Sequence, residues 1–254
     1  MFKTLQLQTE YTSNSLKKMI RIKKYLYETA GLGISILREK MVKNRLKKLP
    51  AGKHFVSPIP IYVSQFAGVN KRLVKKPRGF IKDESAAKRF GAKDLKQFSY
   101  WSWRACGIAC LKAIISTDNK TKGIEFNKTI MDLINEAVGL GGYDIKADMG
   151  WYHKALVTIA EKYRITGSIH RFISLSEIAL MIADNKYVLV SVKSDFGGHL
   201  LLFYGFLLDK EGKIRGFFFH DPYDLKKSGE GNFISIKALA KRATKKAISF
   251  CRVP

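Results

Sequence analysis

The chain has 254 residues, 46% hydrophobic and 12% aromatic, which is enough to bury one substantial core or two modest ones and too apolar for intrinsic disorder. Its formal charge of +25 is concentrated at the front: residues 1–105 carry 24 Lys and Arg against 6 Asp and Glu, whereas residues 106–254 carry 22 against 15. A surface of that kind attracts nucleic acid, anionic lipid or an acidic protein over long range, and it also serves plain solubility. No stretch approaches the roughly 18 apolar residues that span a bilayer. The first ten residues lack the apolar segment and cleavage site of a secretory signal. A cytoplasmic address follows, and three cysteines there are expected as free thiols rather than a disulfide scaffold. Cys106-x-x-x-Cys110 and a distant Cys251 do not have the spacing of paired zinc knuckles, so neither a metal nor any other cofactor is expected.

Ser13-Asn14-Ser15 can cap a basic amphipathic helix carrying Leu16, Met19, Ile20, Tyr25 and Leu26. Helical spacing resumes at Ile34, Leu37, Met41, Val42 and Leu46 and stops at Pro50-Ala51-Gly52. Residues 1–53 therefore read as a basic helical extension and 54–254 as the main domain. Pro58-Ile59-Pro60-Ile61-Tyr62-Val63 reads as a short strand. Residues 70–96 are polar, basic and poor in periodicity, and so are expected to form a long surface loop with a partial helix, a surface insertion and the least ordered stretch of the chain. Apolar spacing then predicts helices over 105–115, 126–138 and 151–163, a strand over 165–170, and a short helix capped by Ser174 or Ser176. After Asn185 the texture turns to β: 187–192, 199–206, 216–220, 233–236 and 247–252, with one short helix ending at Arg242. Helices first and an antiparallel sheet second predict the α+β class.

Three residues in this frame carry chemistry. Cys106 starts a predicted helix, where unpaired amides and the helix dipole favour a thiolate. His199 follows Gly197-Gly198 at the start of an apolar strand, and Asp221 ends the next strand in His220-Asp221-Pro222. Each has an ordinary reading by itself: a small core residue, a strand-end histidine and a turn aspartate. In this order they have the layout of a thiol nucleophile, its base and the acid that orients the base. The Cys106 amide and a glutamine side chain, Gln65 or Gln97, are candidate donors to an oxyanion. Trp101 and Trp103 would supply apolar walls, and Gly107 and Gly198 would let a substrate backbone approach.

Ala105-Cys106-Gly107-Ile108-Ala109-Cys110-Leu111, Gly150-Trp151-Tyr152-His153-Lys154-Ala155-Leu156, Val190-Ser191-Val192, Gly197-Gly198-His199-Leu200-Leu201 and Asp221-Pro222 occur in the order seen in papain-like cysteine peptidases. Over residues 57–252 the chain resembles the bacteriocin-processing, double-glycine leader peptidases of cysteine peptidase family thirty-nine, in a stand-alone form. The resemblance implies a papain-like fold, Cys106 as nucleophile, His199 as base, Asp221 as orienter and a peptide or protein substrate. The family's oxyanion glutamine lies a short way before the cysteine; Gln65 fits by its strand context, with 70–96 as an insertion, and Gln97 fits by distance. Gln65 is preferred. No phosphate-binding loop of the exporters is present, so leader-peptide export is not implied. The competing expectation is a catalytically silent papain-like module whose basic residues 1–105 hold nucleic acid or an acidic partner.

Overall fold

The computed structural model describes residues 38–148, 150–195 and 197–252; the helix expected after Ser13 lies outside them. The chain divides into two compact units, 1–45 and 46–254. In the first, the described residues are helical, with Lys43 paired to Glu39 one turn before it at 3.3 Å.

The second unit is a single seven-stranded antiparallel sheet with helices packed on it: β1 (Gly52–Phe55), β2 (Ile165–Arg171), β3 (Tyr187–Ser194), β4 (Gly197–Leu208), β5 (Ile214–His220), β6 (Asn232–Ser235) and β7 (Ala243–Arg252). The order is β2-β7-β3-β4-β5-β6, and β1 joins β4. The architecture is α+β. The uninterrupted apolar runs of β3 and β4, Val188–Val190 and Leu200–Phe206, are buried along their length, as strands covered on both faces must be. β4 is long enough for two neighbours on one edge: Gly197–Phe203 pairs with β3 and Gly205–Leu208 with β1. The expected break after residue 53 falls inside β1.

The helices are α1 (Glu84–Phe90), α2 (Leu95–Ser102), α3 (Cys106–Thr121), α4 (Ile130–Gly139), α5 (His153–Lys162), α6 (Leu175–Ala183) and α7 (Ile236–Arg242). Side-chain caps set several starts. Thr129 with Asp132, and Ser174 with Glu177, form capping boxes, satisfying amides that a helix end leaves unpaired. α3 is the central helix, packed against β4 on one side and α4 and α5 on others; Ile108, Leu111, Ile114 and Ile115 are fully buried. It runs two turns beyond its expected end at Ile115. Thr117 helps, its Oγ1 donating to the Ala113 carbonyl and accepting the Ile61 N–H.

Two expectations are corrected. Residues 58–63 form no strand: Pro58 and Pro60 lack the N–H a ladder needs, and the adjoining strand is the unremarkable Gly52–Phe55. Residues 70–96 carry the partial helix expected there, as α1, but are held more firmly than expected. Asp83 caps α1 by accepting from the Ala86 N–H and also accepts from the Asn70 N–H, while Ile81 and Phe90 are fully buried. Polar composition hid a segment that buries Ile81, Ala86, Ala87 and Phe90 while leaving Phe80 exposed.

Candidate active site

Cys106 is the first residue of α3. Its N-cap, Ala105, has no side chain able to cap, so the positive end of the helix is directed at the sulfur and not spent on a capping oxygen. Two residues earlier, Arg104 fixes the approach to this terminus. Its Nε and Nη2 donate to both oxygens of Asp148 at 2.8 and 2.6 Å, Nη1 donates to the Tyr100 carbonyl, and its own carbonyl accepts from the Trp151 indole at 2.7 Å. Tyr143 also donates to Asp148. A bidentate arginine holds a planar geometry that one hydrogen bond would not.

His199 reaches the same point from the sheet. Val192↔His199 on one side and Leu202↔His220 on the other set the register; one residue beyond β5, Asp221 comes level with Leu201, on the face that carries His199. The His199 Nε2–H donates to Asp221 Oδ1 at 2.7 Å, which leaves Nδ1 for the Cys106 thiol, the ring's second hydrogen-bond partner. Asp221 is held in turn. Its N–H donates to the Gly229 carbonyl and Oδ1 accepts the Tyr223 N–H. A Cβ at Gly229 would lie 2.0 Å from the Asp221 carbonyl oxygen, so that position requires glycine.

The electrostatics follow from these contacts. Burial alone would raise the Cys106 pKa; the hydrogen bond and charge of His199, with the backbone N–H groups of Leu200 and Gly107, more than offset it and hold the thiol below its ordinary 9.0. Burial alone would lower the His199 pKa, but Asp221 and the sulfur push it up to about 10. Both shifts favour the charged pair, thiolate beside imidazolium. Cys110, one turn along α3, is 2% exposed, and burial pushes it well above 9.0; its thiol faces the Leu200 carbonyl at 3.6 Å.

Gln65 is 2% exposed and joins the two walls: its backbone N–H donates to the Pro222 carbonyl at 3.0 Å and its Nε2 to the Ser102 carbonyl at 2.8 Å. Nε2 carries a second hydrogen. Cys106, His199, Asp221, Gln65, Trp103 and Gly198 all line one cleft of about 410 Å³. Gln97 is elsewhere, its Oε1 accepting from the Lys93 N–H at the start of α2. Gly107 does not line the cleft. It is buried, and a Cβ there would lie 3.0 Å from Leu200 Cδ1 and 3.1 Å from Leu156 Cδ1, so the close packing of α3 on β4 and α5 is what faces this glycine. Trp101 is likewise turned inward, stacked on Trp151 at 5.8 Å.

His153 is half-buried on α5; burial, then Lys246 and Arg171, lower its pKa. His220 is buried, donating from Nε2 to the Pro60 carbonyl and accepting the Gly231 N–H at Nδ1. The sequence reading missed Tyr223 and five basic residues of the cleft, Arg78, Lys193, Lys226, Lys227 and Arg242. It also missed the Arg104–Asp148 clamp, for which the only signal was an arginine two residues before the cysteine.

Among the described residues no helix is long and apolar enough to cross a membrane. The chain matches no protein-family model and no curated protein. Among solved structures it is similar to the peptidase domain of Streptococcus ComA, a bifunctional ABC transporter involved in quorum sensing, at 16% identity and a TM-score of 0.41 over 59% of this chain and 93% of that one. It is similar also to a C39-like peptidase from Bacillus anthracis, at 14% identity and a TM-score of 0.42 over 59% and 90%. A third is a double-glycine motif protease from an AMS/PCAT transporter, solved with its leader peptide, at 14% identity and a TM-score of 0.39 over 58% and 84%. The structural neighbours of this chain are thus C39-like peptidase domains, at low sequence identity and over part of its length.

Proposed function

We propose that the chain is a cysteine peptidase, with residues 54–254 as the peptidase domain and Cys106, His199 and Asp221 as its triad. The observation that carries this reading is His199, hydrogen-bonded to Asp221 at 2.7 Å and lining one cleft with the Cys106 thiol at the start of α3. The thiolate attacks the scissile carbonyl carbon and the carbonyl π pair moves to oxygen. The Cys106 N–H and the second Nε2–H of Gln65 receive that oxyanion. As the C–N bond breaks, imidazolium passes its proton to the departing amine, leaving a thioester and a neutral imidazole. The imidazole then takes a proton from water, whose oxygen attacks the thioester; the acid leaves and the thiolate–imidazolium pair is restored. Asp221 keeps the ring in one tautomer and orientation throughout.

A peptide, rather than a small amide, is supported by the edge of β4. Leu200 directs its N–H to the Cys106 sulfur and its carbonyl to Cys110. Backbone groups alternate in direction along a strand, so Gly198 directs its own to the same edge. β5 pairs with β4 only from Leu202 onward, and this leaves Gly198 open to an extended chain.

The test is brief alkylation with iodoacetamide, mapped by mass spectrometry, alongside hydrolysis of a proteome-derived peptide library. Cys106 is expected to be labelled well ahead of Cys110 and Cys251, and Cys106→Ala to remove all cleavage. Equal labelling of the three thiols would count against the reading, and cleavage by Cys106→Ala would end it. Unchanged thiol selectivity after deletion of residues 1–45, the first of the two units, is the further expectation, since no step uses them.

A further inference from the structure

The acyl-transfer chemistry leaves the charge of the cleft unused. Five basic side chains reach it, Arg78, Lys193, Lys226, Lys227 and Arg242, against two acids, and one of those, Asp221, is engaged by His199. They come from four separate places: the segment before α1, the end of β3, the connection between β5 and β6, and the last turn of α7. Arg78 is drawn to Asp148 at 3.6 Å. Lys193, Lys226, Lys227 and Arg242 are exposed and have no ion pair among the described residues. Composition alone does not produce this: Lys and Arg make up 5 of the 14 lining residues but 46 of 254 overall. Four uncompensated cations around one opening repel one another until an anion enters. Among the described lining residues Asp195 is the one acid besides Asp221, and Asp224, next to the lining Tyr223, accepts from the Ser64 hydroxyl at 2.9 Å.

We infer that the cleft selects peptides carrying Asp or Glu close to the scissile bond, with Lys193, Lys226, Lys227 and Arg242 as the specificity-determining residues. The inference rests on the peptidase reading and narrows it to a substrate class. An acidic peptide fits better than a nucleic-acid strand, because the cations surround a nucleophile and an open strand edge instead of forming a stripe that follows a phosphate backbone.

Two arms test it on the full chain. In the first, the cleavage sites made in a proteome-derived peptide library are read by mass spectrometry. Asp and Glu should be enriched several-fold within about four residues of the cut, and Lys226→Glu with Lys227→Glu should remove or invert that enrichment. Arg242→Glu, on a different segment, should weaken it independently. Cleavage with no acidic enrichment overturns the inference and leaves the peptidase reading standing. In the second arm, Cys106→Ala protein is titrated with two labelled twelve-residue peptides identical except for Glu or Gln at three positions. The Glu peptide should bind about tenfold more tightly at low salt, and the advantage should shrink at about 0.5 M salt. Equal binding overturns the inference, as does displacement of the Glu peptide by a single-stranded oligonucleotide at lower concentration. Because this arm needs no turnover, it decides the charge preference even if the library is not cut, a result that would strike the peptidase reading instead.

Discussion

Cys106 and Cys110 lie one turn apart on the same helix, yet the two turns of α3 push the pKa values of identical thiols in opposite directions. Cys106 is half-buried at the cleft and Cys110 fully buried, and desolvation alone would raise both pKa values. The first turn supplies what reverses that effect: an imidazole held by Asp221, two backbone N–H groups and an uncapped helix end. The second turn supplies only the Leu200 carbonyl, an acceptor that favours the protonated thiol. What makes a cysteine a candidate nucleophile is therefore the donors that converge on it, not its burial or its helix.

The sharpest way to break this contrast is to remove each thiol in turn. Cys106→Ala should lower kcat/KM for peptide hydrolysis by at least about 10⁴-fold with little change in Tm. Cys110→Ala should leave kcat/KM within about threefold and instead lower stability by about 1 kcal/mol, read from thermal melts. Asp221→Ala comes next. It removes both the acceptor of the His199 Nε2–H and the charge facing the imidazolium, and should reduce kcat by roughly 10²- to 10⁴-fold.

Much of this contrast was legible in the sequence, for physical reasons that differ by element. The late strands announce themselves because β3 and β4 are buried on both faces and so read as unbroken apolar runs. The helix start at Ser174 or Ser176 was legible because capping is local chemistry, and Ser174 with Glu177 proves to be the cap. β1 was invisible: Gly52-Lys53-His54-Phe55 alternates between half-buried and exposed, and its pairing is dictated by the far half of β4. The nearby Pro58–Val63 stretch looked like a strand by apolar alternation alone. Cys106, His199 and Asp221 stood out by residue type and order, whereas Gly107 was assigned to substrate because a glycine's role depends on what faces it, here Leu200 and Leu156. The basic cleft could not be read, since its residues are scattered from Arg78 to Arg242 in a chain that is basic almost everywhere.

The two glutamines offer the next test. Gln65→Ala should lower kcat by about 10²- to 10³-fold, the usual loss on removing one oxyanion donor, whereas Gln97→Ala, on the exposed start of α2, should leave kcat unchanged within error. Equal losses in the two variants would mean that Gln65 acts only as the tie between Ser102 and Pro222.

The contrast can also be followed by pH. For Cys106 the depressed pKa means that thiolate persists as pH falls below 9.0, until it is protonated at its own lower value. Its alkylation rate should therefore reach half-maximum below pH 9.0, and that of Cys110 well above it. In His199→Ala the two His199 contributions vanish while burial remains, so the half-maximum of the Cys106 profile should move to higher pH. The raised His199 pKa sets the other limit. Its proton, needed by the departing amine, is lost as pH passes about 10, and turnover should fall there even though the thiolate remains.

The smallest expected effects separate the two glycines once grouped together. At Gly107 a methyl group would meet side-chain ends at 3.0 and 3.1 Å between α3 and β4. Gly107→Ala should cost about 1–3 kcal/mol by overpacking, seen as a lower Tm, and a shift of the α3 terminus would also slow Cys106 alkylation. A Cβ at Gly198 meets nothing within 4 Å, so Gly198→Ala should change stability by no more than about 0.5 kcal/mol and leave Cys106 alkylation by a small reagent intact. If the open edge of β4 receives the peptide, the loss in Gly198→Ala should fall on KM for extended substrates, because the methyl group projects from a strand whose backbone does the binding. A loss in kcat of the same size would place Gly198 with the chemistry instead of with substrate docking.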